Sequence, residues 1–151
     1  MILISHRGNF TGPSPDTENS PKQIDKALNL DYNVEIDVWF KNNQFWLGHD
    51  QPTYPVETKF LQNSKLWCHA KNIDALQMMT QMSNVHFFWH QSDNYTLTSN
   101  SIIWAYPGQI LTSNAICVMP EKHNYSDDNI RNCLGVCSDY IKNYESFRRS
   151  E

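Results

Sequence analysis

VEIDVWFKNNQFWLGHD, residues 34–50, sets two carboxylates, Glu35 and Asp37, two positions apart in a β-branched, aromatic run. In a strand that spacing puts both acids on one face, with Trp39, and leaves Val34, Ile36 and Val38 to the other. Two neighbouring acids repel unless something positive sits between them. Lys41-Asn42-Asn43-Gln44 is a polar break long enough for a hairpin, and the chain returns through Phe45-Trp46-Leu47 to Gly48-His49-Asp50, bringing a histidine back towards the acids. A carboxylate pair on a strand is also what a solvated face looks like, so other segments must supply matching chemistry.

At 151 residues the chain has a single-domain length, enough to bury about two thirds of its unfolded surface. Twelve basic residues against sixteen acidic give a net charge of −4, and the basic residues are scattered. That excludes a basic nucleic-acid face or a polybasic membrane patch. The apolar start, Met1 to Ile4, is too short for a signal peptide or a membrane span, so the chain reads as cytoplasmic. Cys68, Cys117, Cys133 and Cys137 match no zinc spacing and read as buried thiols. Most of the five Trp, seven Tyr and seven Phe are expected in the core or at its rim.

Ile2-Leu3-Ile4-Ser5 reads as a buried strand delivering His6-Arg7-Gly8 at its carboxyl end, where parallel α/β folds keep their sites. Ser20 as cap, Pro21 at the first helical position and Gln23 completing a capping box start a helix carrying Ile24, Ala27 and Leu28. Residues 51–63 read as a loop with at most one helical turn. Lys65 to Lys71 is a strand with Trp67, His69 and Lys71 on one face. A second helix starts at Asn72 or Asp74, and residues 85–90 form a further strand. Tyr95 to Thr98, Ile102 to Tyr106 and Ala115 to Met119 are strand-like, with connections too short for helical crossovers. A short helix from Ser126 leads into Gly135 to Tyr140, an apolar run ending in an acid.

The motifs ISHRGN, TENS, VEIDVWF, GHD, HAK and GVCSDYI, spread from residue 2 to about residue 141, resemble in their order those of the glycerophosphodiester phosphodiesterase family, within the phospholipase-C-like phosphodiesterase barrels. The resemblance implies an α/β fold, a TIM-type (β/α) barrel spanning 1–151 as one domain. It would be of reduced size, with helices missing or replaced by loops in the C-terminal half, because the family commonly runs some hundred residues longer. It also implies His6 and His49 as a general acid/base pair, Arg7 on the phosphate, and Glu35 and Asp37 as ligands of a divalent cation, Mg²⁺ or Ca²⁺ by their oxygen donors.

The chain departs from the family at His69, where an acid usually supplies a further metal ligand. Imidazole favours Mn²⁺ or Zn²⁺ more than Ca²⁺, and His69 is read as a ligand. Lys71 pairs with the phosphate or with Glu35. Glu18 orients Arg7, touches the substrate, or only favours the helix start. Asp139 is placed to bond Arg7 or His6. Trp104 and Tyr106 wall the pocket or pack in the core. His86 and His90 read as structural. The expected activity is metal-assisted hydrolysis of a glycerophosphodiester or a similar small headgroup diester. The alternatives are an inactive barrel that binds a phosphorylated ligand or partner, and a lyase forming a cyclic phosphate.

Overall fold

The computed structural model describes residues 1–148, so the last three residues of the single-domain expectation lie outside the described residues. Ten strands form one mixed sheet. β1 (Ile2–His6) is paired on one side with β2 (Asn33–Lys41), followed by β5 (Leu66–Ala70) and β6 (Phe87–Trp89). On its other side come β10 (Gly135–Ser138), β9 (Ala115–Val118) and β8 (Ile103–Ala105), and every pair along this path is parallel. β3 (Gln44–Leu47) and β4 (Tyr54–Val56) extend the second half of β2 antiparallel, and β7 (Tyr95–Leu97) runs antiparallel to β8. The β2–β3 turn is Asn42-Asn43 with φ of 53° and 59°, the left-handed pair that a two-residue hairpin requires.

The sheet is a curled half-barrel and the chain is 25% helical, which overturns the expected TIM-type barrel. Among the described residues only α1 (Pro21–Asn29), α2 (Ile73–Thr80) and the short α3 (Asp127–Arg131) are helices that link parallel strands. From β2 to β5 the chain spends its residues on the β3–β4 ribbon and a 3₁₀ turn at Thr58–Gln62, and from β6 to β8 on the antiparallel β7. A ring of eight strand–helix units needs about 250 residues, and this chain has 151. Between β6 and β7 there is no ladder: Ser99 N donates to Phe87 O (2.8 Å) and Thr96 Oγ1 to Trp89 O (2.8 Å).

Alternation along the strands makes two apolar layers. Val34, Ile36 and Val38 pack with Ile24 and Ala27 of α1 and Ala75 and Met79 of α2. The opposite face carries Glu35 and Asp37, and on it Ile4, Trp67, Phe88, Trp104, Ile116 and Cys137 form a second cluster. Trp67 and Trp104 meet at 5.9 Å although β5 and β8 are not neighbours, so they touch across the hollow of the curl. Trp104 is therefore core, whereas Tyr106 is exposed at the rim. Ser20 caps α1 by accepting from Gln23 N, but the Gln23 side chain donates to Gly8 O (2.9 Å). The expected capping box is thus half made, and its second arm anchors the loop after β1.

Candidate active site

The parallel strands deliver His6, Glu35, Asp37 and His69 to one end of the sheet, and register explains the grouping. His6 lies beside Glu35 on the β1–β2 ladder, and Asp37 beside His69 on the β2–β5 ladder. Arg7 follows in the left-handed region at φ 54°, a conformation that costs about 1–3 kcal/mol and persists only where its surroundings fix it. Both backbone groups of Arg7 are held: its N donates to Glu35 O (2.9 Å), and its carbonyl accepts from Asn19 N (2.9 Å).

Asp37 is the hub. Its carboxylate is buried, accepts from Asn19 Nδ2 at 2.9 Å, and is ion-paired with Arg7 Nε at 3.1 Å, His69 Nδ1 at 3.2 Å and Lys71 Nζ at 3.4 Å. Burial pushes its pKa up, but the bond from His69 and the charges of Arg7 and Lys71 outweigh that and hold it well below the usual carboxylate range. His69 Nδ1 also lies 3.6 Å from Glu35 Oε1. Burial lowers its pKa, the bonds to Asp37 and Glu35 raise it more, and the result is about 9. The other nitrogen, Nε2, faces His90 O at 2.9 Å; a carbonyl only accepts, so Nε2 is an N–H and Nδ1 is the atom turned to the acids.

His6 has a separate support. Its Nδ1 donates to Asp139 Oδ1 at 2.8 Å, while Nε2 faces Glu35 Oε2 at 3.8 Å. Burial lowers the His6 pKa, but the Asp139 bond and the Glu35 charge raise it above its ordinary value; Asp139, despite burial, lies below its own. Asp139 is in turn fixed by Asn9 Nδ2 (2.9 Å), and Glu121 receives the Asp139 N–H and the Ser138 hydroxyl. Glu18 accepts from Arg7 Nη1 at 3.0 Å.

Of the residues singled out from the sequence, His6, Arg7, Glu18, Glu35, Asp37, His69, Lys71 and Asp139 thus form one connected cluster. Asp139 bonds His6 rather than Arg7, and Lys71 pairs with Asp37 rather than Glu35. His49 stands apart. Gly48 N donates to Asp37 O (3.1 Å), which places His49 one residue from the hub, but its imidazole bonds Asp50 Oδ1 at 2.7 Å with 37% of the side chain exposed. Asp50 is 90% exposed, and such surface pairs hold a ring only weakly, at about 0–1 kcal/mol. If His49 turns inward to act on substrate, His49→Ala lowers turnover by a factor of roughly 10² to 10⁴ while Asp50→Ala leaves it unchanged. Full activity in His49→Ala removes it from the mechanism.

Three contributors escape the sequence reading: Asn9, Glu121 and Asn19. Asn19 makes a second bond by accepting from Asp37 N (2.9 Å) and sits at φ 60°. Its one signal is its place in TENS, beside Glu18.

Glu35, Asp37 and His69 each offer a ligand atom, all within 4.8 Å of one another. Two carboxylates and an imidazole with Nδ1 turned to them would fit a divalent cation, which would take the place of the proton on Nδ1. Without one, His69, Arg7 and Lys71 supply the neutralising charge. Comparison of the chain with protein-family models, curated proteins and solved structures finds no match.

Proposed function

We propose that the chain cleaves phosphodiesters, with small glycerophosphodiester-like esters as the substrate class, at the carboxyl ends of β1, β5 and β10 and the middle of β2. The observation that carries this reading is the joining of an aspartate-supported histidine, His6, to a carboxylate–imidazole metal set, with Arg7 and Lys71 at the same carboxylate. Glu35, Asp37 and His69 would hold a divalent cation, which when bound would supply charge neutralisation for a phosphoryl oxygen. Arg7 and Lys71 bind the phosphate. His6, held by Asp139 through Nδ1, takes or gives a proton at Nε2. His49 is the second proton-transfer group in this scheme. Four buried free cysteines are in keeping with a reducing, cytoplasmic setting, and no helix among the described residues is long and apolar enough to cross a membrane.

Phosphorus NMR of a glycerophosphodiester incubated with the protein and Mg²⁺ or Mn²⁺ tests the reading. A linear monoester is the expected product, a persistent cyclic phosphate makes the reaction a lyase, and an unchanged diester counts against cleavage. One observation favours a second reading, a site that binds a phosphorylated ligand without turning it over: the His49 ring is bonded outward to Asp50. His69 decides the choice of metal. His69→Glu shifts preference from Mn²⁺ or Zn²⁺ towards Mg²⁺ or Ca²⁺ in ion-binding titrations; an unchanged profile removes His69 from the ligand set.

A further inference from the structure

We propose that His90 is a further substrate-contacting residue, whose imidazole hydrogen-bonds the phosphate of the bound ester; this rests on the phosphodiester reading above. Trp89 pairs with Ala70 on the β5–β6 ladder, so the next position on each strand sets His90 beside Lys71 at the strand ends. The His90 carbonyl already accepts from His69 Nε2, and its ring lies 6.2 Å from that of His69 and 5.3 Å from that of Tyr106. Its side chain is only 10% exposed, yet neither Nδ1 nor Nε2 has a hydrogen-bond partner among the described residues. The acid closest in chain, Asp93, stands with Oδ2 3.8 Å from Nδ1, beyond hydrogen-bond reach.

Buried polar groups are paired as a rule, and an imidazole in any protonation state offers at least one N–H. An unpartnered donor next to Lys71, in a cluster that also holds Arg7, suits an anion, for which hydrogen bonds from N–H groups are charge-assisted. Gln91 to Asn94, the adjoining turn, is exposed at all four residues. His86 provides the contrast. It also has a buried nitrogen without a partner among the described residues, but it precedes the same strand, at the opposite end from His90, and its ring lies tilted against Trp67 with centroids 4.1 Å apart.

Inorganic phosphate is the probe, added to the full chain with saturating Mg²⁺. Long-range ¹H–¹⁵N spectra report the His90 ring, and calorimetry gives the phosphate Kd. The His90 ring resonances are expected to move on addition. His90→Ala should weaken phosphate by about tenfold or more, and His90→Gln, which keeps an N–H donor, should recover part of it. Asp93→Asn and His86→Ala should bind as the wild type. Unmoved His90 resonances overturn the proposal, as does wild-type affinity in His90→Ala, or an Asp93→Asn loss equal to that of His90→Ala. Should His90→Ala fail to fold, the wild-type ring spectra decide alone. A wild-type chain that neither cleaves a diester nor binds phosphate brings down the phosphodiester reading itself, and the His90 assignment with it. Diester cleavage unaffected by His90→Ala and His90→Gln brings down the His90 assignment only.

Discussion

His6→Ala is expected to lower the proposed phosphodiester turnover by a factor of roughly 10² to 10⁴, and adding Asp139→Asn to it should cost little more. The reason is the shared hydrogen bond: Asp139 acts on the reaction through His6 Nδ1 (2.8 Å), so once the ring is gone its support has nothing left to orient. Groups that work as a unit are strongly non-additive in this way. Asp139→Asn alone leaves His6 in place but removes the charge that selects its tautomer, so it falls between wild type and His6→Ala. Steady-state kinetics of the two single variants and the double variant check this. Losses that multiply would mean that Asp139 and His6 act independently, which their geometry does not allow.

Asp37→Ala has the largest expected effect on stability. It removes the common partner of Arg7, His69 and Lys71 and the hydrogen bond that its carboxylate accepts from Asn19 Nδ2. Taking away one side of a buried ionic cluster costs about 3–5 kcal/mol, or a Tm drop of roughly 6–20 °C for a chain of this size. Buffered Mn²⁺ should raise the Tm of the wild type by binding the folded form and leave that of Asp37→Ala where it is. Thermal unfolding with and without the ion measures both effects. A Tm within a degree of wild type would mean that water already solvates these charges.

The strand ends were legible because each apolar run stops abruptly at polar residues: Ile2–Ser5 at His6-Arg7, Leu66–Ala70 around His69 and Lys71, Gly135–Ser138 at Asp139. Together they bring the acids, the histidines and the cations to one end of the sheet. The half-barrel was not legible from the strands, since a strand in an open curl and one in a closed ring alternate identically. The difference lies in the connections, where the β3–β4 ribbon and β7 take up chain that helices would need. β4 was hidden by Pro55, which is tolerated there because an edge strand leaves one side unpaired. Asn19 was hidden because asparagine at a left-handed position reads as a turn former, although its amide clamps both the N–H and the carboxylate of Asp37.

Hydrolysis of bis-(p-nitrophenyl) phosphate with Mg²⁺, Ca²⁺, Mn²⁺ or Zn²⁺ in turn, with chelator, and with Glu35→Ala as the paired variant, tests the central claim most directly. p-Nitrophenolate release is expected to require a divalent cation, to stop on chelation and to be lost in Glu35→Ala. Release that persists in chelator or in Glu35→Ala, or no release together with no cation binding by the wild type, would contradict a metal-assisted phosphodiesterase built on Glu35, Asp37 and His69.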